Sequence, residues 1–275
     1  MSVSVYPLPH RRVLKVDGAD RFDFLQGLIT HDIFLLKSMP ALYTALLNQQ
    51  GRYLFDFFII AQEDHFLIET DDRMDELLAL LKMYKLRRQV HFETLEASVF
   101  ITHACTHSDK HTVIFEDPRL PNLWQRGVSF SPESFIYKEN IESSLHGYHY
   151  QRILKCLPDS KTDLIVGRTF PLEAGLDQLN AMSFKKGCYI GQEPVARAYY
   201  QGVVRKKLMP IRIDGPPPPY GGNITQEDNT VGDLRSTVVF EGEAVGIAMI
   251  RLEALDQKAP LMCEGQAITV ISPQR

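Results

Sequence analysis

The sequence is poor in the features that mark secreted, membrane and nucleic-acid-coating proteins. It has 4 cysteines in 275 residues, Cys105, Cys156, Cys188 and Cys263, and no CxxC pair. Scattered thiols fit a reducing compartment and argue against a disulfide framework or a self-contained zinc or cluster site. No apolar run approaches the length of a membrane helix. The opening MSVSVYPLPHRRVLKVDG has no apolar core of signal-peptide length ahead of its charges. A formal net charge of −4 speaks against a general nucleic-acid binder and leaves only local basic patches for that role. Internal repeats and long low-complexity segments are also missing. What remains, 44% hydrophobic and 23% charged, reads as a cytoplasmic globular protein with no membrane partner. Its length suffices for a sizeable core and two or more domains.

The densest chemistry lies in Lys185 to Arg197, KKGCYIGQEPVAR. Gly187 and Gly191 bracket a thiol, Cys188. Glycine permits positive φ and close approach of a ligand or another backbone. Pro194 fixes its own φ and pushes Glu193 towards extended geometry. The spacing therefore predicts a shaped turn from Gly187 to Glu193, with Pro194 opening a short helix through Ala198. Two readings of Cys188 stand on spacing alone. Cations such as Lys185 and Lys186 beside a thiol favour the thiolate. A small buried residue in a tight turn is the other reading.

Lys186-Gly187-Cys188-Tyr189-Ile190-Gly191-Gln192-Glu193 resembles the K-G-C-Y-x-G-Q-E motif of the YgfZ family. Members of that family are folate-binding relatives of the glycine-cleavage T-protein, an aminomethyltransferase, implicated in iron–sulfur cluster assembly and tRNA modification. Similar segments run along nearly the whole chain. They are Phe24-Leu25-Gln26-Gly27 followed by Thr30-His31-Asp32, Tyr84-Lys85-Leu86-Arg87, Asp117-Pro118-Arg119 with Gly127, Leu172-Glu173-Ala174-Gly175, Gly202-Val203-Val204-Arg205-Lys206, and Gly246 to Arg251.

Away from these motifs the chain reads by periodicity. Arg11 to Val16 is strand-like, and Asp20 is placed to cap a helix carrying Phe22, Leu25, Leu28 and Ile29. Tyr53 to Ala61 is a dense apolar strand broken only by Asp56, which shares a face with Leu54, Phe58 and Ile60. A carboxylate there must be paired, hydrogen-bonded or open to a cavity. It either ties down a neighbouring loop or serves as a ligand or proton-handling carboxylate in a pocket. His65 to Thr70 is a further strand. Met74, Leu77, Leu78, Leu81 and Tyr84 then stripe a helix whose basic end, Lys82, Lys85, Arg87 and Arg88, complements the helix dipole or meets a polyanion. His103, Cys105 and His107 share a face if extended, a possible metal trio against the plainer reading of a polar strand end. Trp124 is core by default. Tyr148 to Leu157 reads as a helix. Arg197, Arg205, Lys206 and Lys207 form a basic run suited to a folate glutamate tail, an RNA phosphate or a solvated edge. Beyond Pro216 to Pro219, short strands separated by glycine and proline suggest a small barrel.

These patterns give an α+β fold: an interleaved body over residues 1–200 and a β-barrel over 201–275. The resemblance implies a T-protein-like three-domain body around a central cavity. It implies tetrahydrofolate as the ligand, iron–sulfur assembly or client proteins as partners, and at most weak tRNA contact. Glu173 would accept two hydrogen bonds from the amino and ring N–H groups of a pterin. Arg197 would hold the glutamate tail, with Gln192 nearby and Asp56 near the reactive N5–N10 edge. Cys188 would be a redox or transient-ligand thiol, with Lys186 and Tyr189 shaping its surroundings. T-proteins carry an aspartate pair where this chain has Phe55-Asp56, so one acid is missing. That departure sets folate-dependent aminomethyl transfer behind an accessory role in cluster assembly or repair.

Overall fold

The computed structural model describes residues 5–102, 111–131, 141–257 and 259–274, with the side chains of 141–144 excepted. His103, Cys105 and His107 lie outside these residues. Among the described residues no three His, Cys, Asp or Glu side chains gather as a metal site. Among these residues no helix is long and apolar enough to cross a membrane. The chain divides into two compact units: Met1–Ile141 with Leu176–Pro194, and Glu142–Gly175 with Val195–Arg275.

The first unit holds two antiparallel sheets. The five-stranded one comprises β2 (Arg12–Asp17), β3 (Ala41–Leu47), β4 (Tyr53–Ala61), β5 (Phe66–Thr70) and β6 (His91–Leu95), in the order β3-β4-β5-β2-β6. The four-stranded one comprises β1 (Val5–Pro7), β7 (Ser98–Thr102), β8 (Thr112–Glu116) and β9 (Gln125–Ser129), in the order β1-β7-β9-β8. Strand β4 matches the apolar run read from the sequence and is buried on both faces. Phe55, Phe57 and Ile59 join a core with Phe24 and Leu25 of α1 (Arg21–Gln26) and Leu77 and Leu81 of α2 (Met74–Lys85). On the other face Phe58 packs towards Tyr43 of β3 and Phe115 of β8. Burial on both sides is what a continuous apolar run requires, as opposed to clean alternation.

Asp20 stands at the α1 N-cap position but makes no side-chain cap. Its carboxylate instead accepts the Gln89 N–H at 2.7 Å, bracing the turn after α2. Trp124 is buried and donates its indole N–H to Asp117 at 2.9 Å, a core role.

The second unit contains α3 (Ile141–Leu154) and a closed barrel. Its strands are β10 (Lys206–Asp214), β11 (Asn223–Gln226), β12 (Asn229–Phe240), β13 (Glu243–Arg251), β14 (Leu261–Cys263) and β15 (Gln266–Val270). Ile211, Ile213, Leu234, Ala248, Ile250 and Ile268 fill the barrel core. The first barrel strand starts only at Lys206, because a cap precedes it. Helix α4 (Gln192–Gln201) ends with Gly202 at φ 66°, and Val203 N–H reaches back to Ala198 C=O at 3.1 Å. That left-handed glycine cap holds three residues out of the strand. Helix α4 also begins earlier than Pro194, which sits inside its first turn, where a missing N–H costs nothing.

Candidate functional site

The Cys188 turn is fixed from below by segments far away in sequence. Lys186 is buried, and its ammonium donates to three carbonyls: Gln26 and Ile29 at 2.7 Å and His31 at 2.9 Å. Gln26 is the last residue of α1, where a carbonyl has no partner within the helix, and Ile29 and His31 follow in the segment beyond it. Burial draws the Lys186 pKa down to about 8, with Asp32 pulling the other way. All three ammonium hydrogens are thereby committed to backbone. Lys186 is a clamp, and its charge is not directed at the thiol as the sequence spacing suggested.

The segment it clamps is itself braced. Thr30 donates its hydroxyl to Ala181 C=O at 2.6 Å and accepts the Ala45 N–H at 2.9 Å, while Ser183 N–H reaches Thr30 C=O at 2.9 Å. Gln26 donates to Asp32 at 3.0 Å and accepts the Ile33 N–H at 3.0 Å. The two motif-bearing stretches, Phe24 to Asp32 and Lys186 to Glu193, are thus one assembly.

Gly191 closes the turn at φ 80°, and a Cβ there would sit 2.3 Å from Asn48 O. Gly187 differs: a Cβ would meet nothing within 4 Å, and its φ lies outside the left-handed range. Between them Cys188 is a free, exposed thiol, whereas Cys156 and Cys263 are buried. Tyr189 is buried beneath Lys186 Nζ, 5.1 Å from its ring centre, and burial pushes its phenol up to about 12. Tyr189 therefore supplies an apolar floor and stays protonated. Gln192 opens α4 with its N–H on Tyr189 C=O at 3.3 Å. His31, which the motif reading passed over, accepts the Asp32 N–H on Nδ1 at 2.8 Å. Burial lowers its pKa, so it is held neutral with its proton on Nε2.

Asp56 is buried and accepts hydrogen bonds on both oxygens, from Tyr43 at 2.8 Å and Tyr53 at 2.7 Å. Burial raises its carboxyl pKa, opposed by Arg11 and by the two hydroxyls. Both tyrosines are pushed well above the ordinary phenol range by burial and by Asp56 itself. A larger ionic network adjoins this trio. Glu69 accepts from Arg11 Nε at 2.7 Å and from Arg126 Nε at 3.0 Å, with a further bond from Arg126 Nη2. Asp117 accepts from Arg119 Nη2 at 2.7 Å. Arg126, Arg119 and Arg11 lie 4.2, 5.1 and 5.9 Å from the Phe58 ring centre. The D-P-R segment thus serves this interior. Asp56 adjoins it and, through Tyr43, ties strand β3 to β4, a link between strands and not to a loop. Phe55, where T-proteins have a second acid, lies 4.5 Å under the Arg73 guanidinium.

Glu173 belongs to the second unit. Its backbone is pinned to β10, since Leu208 N–H donates to Glu173 C=O at 2.8 Å. Its Oε2 is buried and accepts no hydrogen bond; Lys206 Nζ is the cation near it, at 3.7 Å. Glu173 lines a cavity of about 760 Å³ with Arg205, Lys206, Arg251 and Glu253 among its walls. An orphaned carboxylate oxygen beside such a space suits a ligand rich in N–H donors. The cations suit an acidic tail. Arg197, on the exposed side of α4, is not among the lining residues.

Residues 205–275 match the family described as CAF17, C-terminal beta-barrel domain. The chain is 31% identical to the iron–sulfur cluster assembly factor IBA57, mitochondrial, of Mus musculus, over 98% of this chain and 84% of that one. It is 31% identical to the Homo sapiens protein of the same name, over 93% and 79%. It is 33% identical to the IBA57 homolog of Mycosarcoma maydis over 77% of its own length, and spans 58% of that fungal protein. These relatives carry the IBA57 name where the motif resembled the related YgfZ family. Among solved structures, glycine cleavage system aminomethyltransferase T from Bartonella henselae superposes with TM-score 0.77 over 98% of this chain and 85% of that one. At 14% identity that likeness carries the fold alone: a T-protein-like fold ending in a six-stranded barrel, as the sequence led us to expect.

Proposed function

The chain belongs to the IBA57 family of iron–sulfur cluster assembly factors, and from that premise we propose that it assists the assembly or repair of clusters through the exposed thiol of Cys188. The observation that carries this reading is the contrast within one turn. One side of the turn is held, by the Lys186 clamp and the Gly191–Asn48 approach, and the thiol itself faces solvent. A thiol presented rigidly spends little ordering entropy on meeting a partner's cluster. As thiolate it lends a lone pair to cluster iron during transfer and withdraws it afterwards. The cluster is cargo, and the partners are assembly or client proteins. Lys186 and Tyr189 are positioning residues. Any influence on tRNA modification is indirect, through enzymes that need clusters.

Tetrahydrofolate is the small-molecule ligand in this reading. Glu173 supports it, because its buried Oε2, which accepts no hydrogen bond among the described residues, and the adjoining cavity suit a pterin. Arg205 and Arg251, which line that cavity, join Arg197 as candidate holders of an acidic tail. A bound reduced folate supplies one-carbon carrier chemistry at N5 and N10. Asp56, engaged by two tyrosines, acts through Tyr43 and Tyr53 and offers no free oxygen to a substrate proton. That arrangement, with Phe55 beside it, favours an assembly factor over an aminomethyltransferase. The scattered thiols keep a reducing compartment as our expectation, cytoplasmic by sequence, although the relatives are named as mitochondrial.

The test is Cys188→Ala in cells lacking the protein, read by the activity of an iron–sulfur enzyme. Loss of that activity with unchanged melting temperature and unchanged tetrahydrofolate affinity is the expected result. Full rescue by Cys188→Ala, or unfolding of the variant, would sink the reading.

A further inference from the structure

One residue outside the Cys188 site combines two costs that a stable fold has no reason to keep. Leu86 has φ 51° and ψ −116°, and Arg88 N–H donates to Lys85 C=O at 3.0 Å. These are the marks of a type II′ turn over Lys85 to Arg88 with leucine at the first central position, where glycine is the rule. A branched side chain there is strained. The same leucine is 86% exposed, the largest exposure recorded for a large apolar side chain in the described part of the chain, and Met83, one turn back, is 59% exposed.

The turn is not loose. Asp20 accepts the Gln89 N–H at 2.7 Å and donates its own N–H to Gln89 C=O at 3.2 Å. Gly18 lies so close that a Cβ there would be 2.2 Å from Gln89 O. Val90 and Leu81 on either side are fully buried. The surroundings therefore force a bulky residue into a glycine conformation and hold it there, pointing into water.

Around this knob stand Lys82, Lys85, Arg87 and Arg88. Among the described residues no hydrogen bond or ion pair engages their charged groups. Complementing the helix dipole accounts for Lys82 and Lys85 in the last turn of α2. It leaves Arg87 and Arg88, beyond the helix end, and Leu86 itself without a role. In a chain of net charge −4, four unpaired cations around one rigid leucine form a local exception.

We propose that the Leu86 turn is a docking knob for a protein partner that presents an apolar pocket ringed by carboxylates. Leu86 enters the pocket, Met83 covers its rim, and the four cations meet the acids. The rigidity favours a protein over an anionic lipid surface. Insertion into lipid rewards apolar area and asks for no single conformer, whereas a pocket rewards an anchor already held in its bound shape. The proposal stands apart from the Cys188 reading and survives or falls without it.

The test places p-benzoylphenylalanine at Met83 in the full chain, leaving Leu86 intact, and irradiates living cells. The crosslinked protein is identified and purified, and its affinity is measured for the wild type, Leu86→Gly and the Arg87→Glu, Arg88→Glu pair, at low and high salt. Leu86→Gly suits the backbone and should melt no lower than wild type. It should nonetheless weaken binding about tenfold or more, as removal of a central anchor does. Charge reversal and added salt should weaken binding too. The proposal is overturned by any of four results: no dominant crosslinked protein, a crosslink to a second copy of this chain, equal affinity for Leu86→Gly, or Leu86-dependent binding to vesicles of roughly one-third phosphatidylserine in place of a protein.

Discussion

Gly187 and Gly191 flank the same thiol and should answer the same substitution in opposite ways. Gly191→Ala puts a Cβ 2.3 Å from Asn48 O, with Gly51 Cα and Leu47 Cβ at 3.1 Å, on a residue at φ 80°. The obstacle is backbone held in the turn between β3 and β4, where Asn48 N–H bonds to Arg52 C=O at 2.9 Å and Gly51 N–H to Asn48 C=O at 2.9 Å. Left-handed strain together with a collision that cannot be rotated away costs about 3–5 kcal/mol. That lowers a melting temperature by about 6–20 °C for a chain of this size. Gly187→Ala meets no atom within 4 Å. It should be neutral or stabilise by up to ~1 kcal/mol, by restricting the unfolded chain. The assay is thermal unfolding of both variants beside the rate of Cys188 labelling by a disulfide reagent, with Cys188→Ser as the blank. Gly191→Ala should melt early and label abnormally, and Gly187→Ala should match wild type in both. Equal damage from both, or none from Gly191→Ala, would refute the view that the turn is fixed on one side and open on the other. If Gly187→Ala is stable yet inactive in cells, the open side is where a partner comes close.

Glu69→Gln should destabilise by about 3–5 kcal/mol in denaturant titration, because it strands the buried guanidiniums of Arg11 and Arg126. Burial pushes the Glu69 carboxyl up, but Arg126 and Arg11 outweigh it and hold its pKa below the usual range, and Arg119 does the same for Asp117. Their stabilisation is therefore fully present above the unfolded carboxylate range and is lost as pH falls through the lower folded values, and acid unfolding of Glu69→Gln should show a shallower pH slope than wild type. Asp56 has the opposite sign, its pKa raised by burial. The folded state holds its proton longer than the unfolded one, so Asp56→Asn should cost less at neutral pH than Glu69→Gln; an equal cost would contradict the network as drawn. Glu173→Ala should weaken tetrahydrofolate binding by about 10–100-fold in calorimetry, the worth of hydrogen bonds to a charged acceptor. Unchanged affinity would remove Glu173 from the ligand site.

Strand β4 was legible because both its faces are buried, and burial on both faces writes an unbroken apolar run. The barrel was legible from the glycine and proline punctuation of its short strands. Strand β3, Ala-Leu-Tyr-Thr-Ala-Leu-Leu, was not, since every position is buried and nothing in its composition separates a strand from a short buried helix. The Asp20 cap failed for another reason. The residue type was right for a cap, but Gln89, distant in sequence, offered its N–H in a better position. Local propensity yields where a tertiary partner is available.

At the site, residue identity could be read from the chain and direction could not. The spacing put a cation beside Cys188, and the structure turns that cation towards three carbonyls contributed by residues near position 30. Asp56 was rightly marked as a carboxylate needing partners, but Tyr53 reaches it from three residues away and Tyr43 from the neighbouring strand, which only the β3–β4 register supplies. The same lesson separates the two glycines. Both look alike in the motif, yet one is demanded by Asn48 and the other by nothing among the described residues. A turn that is sterically obliged on its inner side and unobliged at Gly187 and Cys188 can exchange what it meets outside without disturbing what holds it. That division leaves the thiol of Cys188 exposed on a turn anchored from its inner side, and any demand for glycine at position 187 comes from what meets the turn outside.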